Sequence, residues 1–431
     1  MPDLSHLKRL SAVKSNVGVK FLTPSAFPGS HCPLHPALAL AGNIKGLSSL
    51  VVGTPECATY SRIVLRNAQD RQGEQHWTYV LDASEVVFGC RKGLMDALQK
   101  MDRSGAKAVL LLATCVPDLI GEDIEGLVRE AQPKLSMRLI SVMMGHFKCN
   151  SFPSGSWKTL QAIGVLMEPR TVQPYVINVM GRSPDEKHIP LPSILRVLQQ
   201  QGFSLRCLAP GASLEDFLAA PDAALNLVLT PFADPLATAM EQSFGIPAFR
   251  LHTVYDAAEI AALYAAIAKK LGLQWGNEFN REQLEALSLQ EQARKRLNGC
   301  RFICTDIGPV RTMPLAAFLT AMGMEPVLLH LEEFWPDDKY WADALNALGY
   351  DPLVCHMVNS DADAPLLESL APDLCLGDLN SVKGRIPCVP YLSDLYGLSG
   401  YDRTNSLLKK ILHKLEQPSR SKEGGARHGI A

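Results

Sequence analysis

A chain of 431 residues that is 47% apolar and 20% charged has the material for a large core and room for about two to four globular domains. Its formal net charge of −2 leaves no basic excess for general nucleic-acid binding. The opening stretch "MPDLSHLKRLSAVKSNVGVK" has no apolar signal core, and no uninterrupted apolar run reaches about 18 residues. The expectation is therefore a cytoplasmic chain with no membrane span, whose eleven cysteines stay reduced instead of forming a disulfide framework.

In chain order, the first distinctive stretch is "HCPLHPALALAGNIKGLSSLVVGTPECATYSR", with Cys32 beside Pro33 and Cys57 just past an apolar strand. Four apolar segments of this region are each followed by a cysteine: "LVVGTPEC" (Cys57), "VVFGC" (Cys90), "LLLATC" (Cys115) and "SVMMGHFKC" (Cys149). Pro169 and Pro174 then bracket an extended link. The strand–helix units "PYVINVMG" and "LNLVLTPFADPLATAMEQSFG" follow it. A polar helix, "NREQLEALSLQEQARKRL", with Asn280 as the expected N-cap, leads to a third set, "RFICTDIGPVRTMPLAAFLTAMG" and "DLCLGDLNS". Strand–helix alternation at this spacing predicts an α/β protein of three Rossmann-like domains with parallel sheets. Their expected bounds are 1–168, 169–276 and 277–416, with a Gly-rich, charged tail over 417–431 expected to be disordered.

Ligands of open α/β sheets bind at the carboxyl ends of the strands, where cysteines distant in sequence can converge. Thiolates favour iron–sulfur clusters, zinc or Cu(I) over hard ions, and composition leaves that choice open. Single cysteines in strands are commonly plain core residues, the reading given to Cys207, Cys304, Cys355, Cys375 and Cys388, with Cys300 incidental. His31, His35 and His146 flank the cysteine blocks as proton relays or donors to a cluster sulfur, or as satisfied histidines. Arg62 and Lys148 offset a cluster's negative charge or are ordinary surface charge. "SGSWKT" lacks the adjacent Gly-Lys of a P-loop, and no GxGxxG opens a helix after a strand.

The Cys32–Cys57 spacing with "GNIKGLSSLVVGTPECATYSR" resembles the nitrogenase component 1 family. So does "CVPDLIGEDIE", with Glu122 at the first Asp position of that family's element, and the order of the later units extends the likeness to about Leu415. The resemblance implies that Cys32, Cys57 and Cys115 bind an iron–sulfur cluster, [4Fe-4S] or a larger P-cluster-like group, at a subunit interface. Cys90, where the family usually has glycine, stands as a further candidate or, in preference, as a substituted loop residue, and Cys149 with Ser151 beside it as another candidate. It also implies a homologous component 1 subunit, in a homo- or hetero-oligomer, and an ATP-dependent iron protein as partners. Two departures weigh against a dinitrogenase catalytic subunit: Thr230 stands where the family's cofactor cysteine falls, and Leu392, Ser393 and Asp394 stand where its cofactor histidine falls. The implied function is a subunit of a nitrogenase-like reductase that relays electrons to an unidentified substrate. The alternative is a non-catalytic scaffold or carrier for iron–sulfur cofactor assembly. A metal-free α/β binding protein is the third reading.

Overall fold

The computed structural model describes residues 7–15, 32–64, 73–145, 152–185, 189–305, 307, 310–356, 366–377, 386–390, 392 and 395–416. Three sheets organise them. The first contains β2 (Ser48–Gly53), β3 (His76–Val80), β4 (Ala108–Ala113) and β5 (Arg138–Met143), in the order β3-β2-β4-β5. The second contains β6 (Gln173–Met180), β7 (Ser204–Leu208), β8 (Ala223–Val228) and β9 (Ala248–Arg250), in the order β7-β6-β8-β9. The third contains β1 (Lys8–Arg9), β10 (Arg301–Cys304), β11 (Glu325–Leu331), β12 (Leu353–His356), β13 (Leu374–Leu376) and β14 (Cys388–Val389). Its order is β1-β12-β11-β10-β13-β14. Every pairing is parallel except β1 with β12.

The parallel arrangement follows from composition. "SSLVVG" and "AVLLLA" are buried at every position, as strands with helices on both faces must be, so they read as continuous apolar runs without alternation. In each sheet the first parallel strand has its successor on one side and a later strand on the other. This reversal opens a crevice at the carboxyl ends of β2 and β4, of β6 and β8, and of β10 and β13. Those three switch points are where the fold can hold ligands.

The structure departs from the sequence expectation in three places. "EVVF" is not a strand: Ala83–Phe88 is a short helix closed by a capping box, Asp82 accepting from Glu85 N and Glu85 from Asp82 N. A short apolar run cannot be told from a helical turn by periodicity, and here the cap decides. The strand of that region is "HWTYV", whose half-exposed edge position gave it no continuous apolar signature. Secondly, Lys8–Arg9 pairs with Leu353–Val354, so this part of the N-terminal segment lies on the third sheet, not the first. Arg9 Nη1 donates to Asp351 O at 2.8 Å and the Asp351 carboxylate accepts from Ser11 N and Oγ, fastening the segment there. Thirdly, Asn280 is the first helical residue and not the cap, its amide nitrogen donating to Asn277 Oδ1.

The cores tie the sheets together. Leu34, Leu38 and Ile163 from helices beside the first sheet share one apolar cluster with Leu208, Phe217, Val228 and Leu236 of the second. The helix Gly400–Glu416 sends Tyr401 into the second sheet's core and Leu407, Leu408 and Ile411 into the third's. The tail 417–431 lies outside the described residues.

Candidate functional site: three thiols at the first switch point

Cys57 sits in the first turn of the helix Pro55–Val64, which leaves β2 directly. Pro55 suits that start, because its missing N–H would be unpaired there in any case. Thr54 Oγ1 donates to Cys57 Sγ at 3.7 Å. Cys115 opens the helix Cys115–Ile120 after β4. Thr114, just before it, donates its hydroxyl to Val52 O at 2.8 Å and so ties the end of β4 to β2. Gly53 makes this close approach feasible: a Cβ there would lie 2.2 Å from Thr114 Oγ1 and 3.1 Å from Cys57 Sγ. Cys32 precedes the helix Leu34–Ala41, and its carbonyl accepts from His35 N at 3.3 Å. That turn is packed against the helix Phe152–Gly164, where a Cβ on Gly155 would be 2.0 Å from Pro33 O.

The three cysteines are each partly exposed. Burial raises the Cys32 pKa, and the nearby Cys115 and Cys57 raise it further, which places the three thiols within electrostatic reach of one another. Chain segments far apart in sequence thus deliver three soft donors to one edge. Among the described residues, no three His, Cys, Asp or Glu side chains close around the position of a single ion.

Cys90 is not part of this group. It caps the helix Arg91–Arg103, is 1% exposed in the core on Leu94 and Leu98, and accounts for one more small apolar side chain. Burial first, then Glu122 and Glu85, push its thiol up to about 12, so it is a poor source of thiolate. Of the two sequence readings of Cys90, an extra ligand or a substituted loop residue, its place in the turn between the helices Ala83–Phe88 and Arg91–Arg103 agrees with the second. Cys149, Ser151, His31, His146 and Lys148 lie outside the described residues, as does the side chain of Arg62.

Sequence reading missed a charged neighbour of the thiol edge. "SGSWKT" forms the first turns of the helix Phe152–Gly164, not a phosphate loop. Lys158 on that helix has its pKa lowered by burial and faces the carboxylates of Asp118 and Glu333. Asp118, three residues beyond Cys115, is itself buried, and a side chain at Gly145 would collide with it at 2.0 Å. No sequence motif announces this pairing, since its members come from three separate segments.

A cavity of about 470 Å³ opens at the second switch point, lined among others by His35, Asn43, Ser183, Thr230, Phe232 and Tyr396. Burial keeps His35 below the usual histidine pKa, so it presents a neutral imidazole. Thr230 is 7% exposed and its Oγ1 is buried with no hydrogen-bond partner among the described residues. Gly181, at φ +98°, stands where a Cβ would come within 2.2 Å of Thr230 Cγ2. Among the described residues that line the cavity there is no cysteine, carboxylate, lysine or arginine. Leu392 is buried in the third core, while Ser393 and Asp394 lie outside the described residues.

The edge beside the thiols is apolar and open. Val87, Phe88, Leu119 and Ile120 are 71%, 86%, 59% and 41% exposed, and the two short helices that carry them touch.

A family model described as nitrogenase component 1 type oxidoreductase matches residues 32–416. The chain belongs to this family. Among its relatives, the nitrogenase iron-molybdenum cofactor biosynthesis protein NifE of Nostoc sp. is 27% identical over 328 residues, which cover 72% of this chain and 67% of the relative. The protein of the same name from Methanococcus maripaludis is 23% identical over 401 residues, 88% of this chain and 81% of the relative. In fold, the structure described as nitrogenase Cp1 at pH 6.5 superposes with a TM-score of 0.68 at 16% identity, over 92% of this chain and 95% of that one. The three-sheet α/β architecture is therefore that of nitrogenase component 1. Among the described residues no helix is long and apolar enough to cross a membrane.

Proposed function

We propose that this chain is the cluster-holding subunit of a scaffold or carrier for iron–sulfur cofactor assembly, with Cys32, Cys57 and Cys115 as its thiolate ligands. The observation that carries the reading is the gathering of three partly exposed thiols at the first switch point. The donor set fits an iron–sulfur group, which takes one thiolate per iron, so that three ligands can share an edge without meeting at one ion. Held by these three thiolates, such a cluster would supply one-electron storage. The chain's own residues do the rest. Gly53 and Thr114 hold the two strand ends together, the Pro33 turn brings Cys32 to them, and Lys158 puts a cation within reach of Asp118 on the Cys115 helix.

The relatives named for cofactor biosynthesis support assembly over catalysis. The second cavity supports it as well: its described lining offers soft iron a neutral imidazole, hydroxyls and an amide, a weak hold from which a cargo can leave. The exposed Val87, Phe88, Leu119 and Ile120 supply a contact surface for a homologous subunit or an ATP-dependent iron protein. A second reading rests on the Thr230 hydroxyl, whose missing partner a reducible organic substrate would provide. On that reading the chain is a reductase subunit relaying electrons from the iron protein to this substrate.

Transfer separates the two. ⁵⁵Fe-loaded protein, purified anaerobically with its partner subunit, is incubated with an iron-depleted nitrogenase-type acceptor. The scaffold reading predicts that label moves to the acceptor. Label that stays in place, with substrate reduction driven by the iron protein and ATP, establishes the reductase instead.

A further inference from the structure

A second pair of thiols lies far from the site described above, on the third sheet. Cys375 of β13 and Cys388 of β14 are register partners on neighbouring parallel strands. Register partners leave a sheet by the same face, so the two side chains stand side by side. Both donate to one acceptor, the carbonyl oxygen of Gly377, at 3.8 Å from Cys375 Sγ and 3.1 Å from Cys388 Sγ. Neither is in a disulfide. Cys375 is fully buried with Ile303 and Leu328, whereas Cys388 at the sheet edge is partly exposed. The other thiols of this sheet are held apart from them. Cys304 pairs with Leu376 and so faces the opposite side, and Cys355 on β12 is separated from β13 by two strands.

We propose that Cys375 and Cys388 form a redox-active dithiol, a modification site that closes by exchange with a small disulfide. Neighbouring strands run about 4.8 Å apart, within the roughly 4.4–6.8 Å that Cα atoms of a disulfide span. Bringing sulfur to sulfur requires an inward tilt of β14, which consists of two residues and has, among the described residues, one neighbouring strand. The exposure difference sets the order of events. The Cys388 thiolate attacks one sulfur of the small disulfide, forming a mixed disulfide and releasing one small thiolate. The Cys375 thiolate then attacks Cys388 Sγ, the protein S–S bond forms, and the second small thiolate leaves. The protein loses two electrons and two protons, and the small disulfide gains them as two thiols. Closure ties β13 to β14, the strand from which the chain runs on towards Tyr396 at the cavity wall.

The test is peptide mapping of the full chain after anaerobic treatment with oxidised glutathione and alkylation of remaining thiols. The expected product is a Cys375–Cys388 cross-linked peptide that is lost on reduction. In Cys375→Ser the glutathione adduct should persist on Cys388, and in Cys388→Ser no adduct should form at Cys375. Should the variants fail to fold, the wild-type map decides alone. Both cysteines recovered alkylated, or Cys388 recovered only as a stable glutathione adduct, overturns the proposal.

Discussion

At the residue scale, the difference between Cys90 and the trio Cys32, Cys57 and Cys115 is one of surroundings, not of spacing. Cys57, Cys90 and Cys115 follow apolar segments in the sequence and Cys32 precedes a proline, but of the four only Cys90 is sealed among leucines. Cys90→Ala should therefore keep the full iron content of anaerobically purified protein and lower stability by about 1 kcal/mol, the order expected for a small core truncation. Iron analysis and thermal unfolding check both halves. Thr230 was legible in the sequence as the departure from the family's cofactor cysteine. Its hydroxyl, without a partner among the described residues, was not, because burial and bonding are properties of the fold. A buried hydroxyl without a partner costs stability. Thr230→Val, which replaces it with a methyl of similar shape, should raise ligand-free stability by up to about 1 kcal/mol. Denaturant unfolding that instead shows a marked loss would mean that the hydroxyl has a bonding partner.

At the element scale, the site depends on how closely β2 and β4 end together. Gly53→Ala removes no ligand, but its Cβ would press on Thr114 Oγ1 and Cys57 Sγ. It should cost most of the bound iron while circular dichroism stays near wild type; unchanged iron would show that this approach does not position Cys57. A different contact sets a pH dependence. Arg311 is paired with Asp337 and Asp338 where the helices Thr312–Ala321 and Asp338–Ala347 meet. Burial lifts the Asp338 carboxyl to about 6 even though Arg311 opposes the shift. An acid whose pKa is raised on folding contributes stability below its unfolded value of 3.8. That contribution is lost as the pH climbs through about 6. Wild type should therefore lose stability relative to Asp338→Asn between about pH 4 and pH 6 and hold level above 7, as urea unfolding across that range would show. The strands rich in Val and Leu could be read from sequence, since burial on both faces leaves an unbroken apolar run. "HWTYV" and "ASEVVF" could not: the first is a half-exposed edge strand, and the second is fixed as a helix by side-chain caps.

At the scale of the whole molecule, three sheets, each with one switch point, place three crevices at strand ends, and the chain populates them differently. The first gathers thiols, the second encloses a cavity whose described lining is uncharged, and the third has Thr305 and Gly377 at its rim, with the dithiol just behind. The order of the β/α units made the architecture readable, and cysteines after strands pointed to the first crevice. What escaped was how distant segments meet, as with Lys158 and Asp118, or the N-terminal strand on the third sheet. On the proposed reading the first crevice holds an iron–sulfur cluster on Cys32, Cys57 and Cys115. The most direct test of that reading is iron and acid-labile sulfide analysis of anaerobically purified protein, wild type beside Cys57→Ala and Cys115→Ala. Wild-type protein is expected to be brown, with iron and sulfide in near-equal amounts, and each variant to lose most of both. Colourless wild-type protein with stoichiometric zinc, or variants that keep their iron and sulfide, would contradict it.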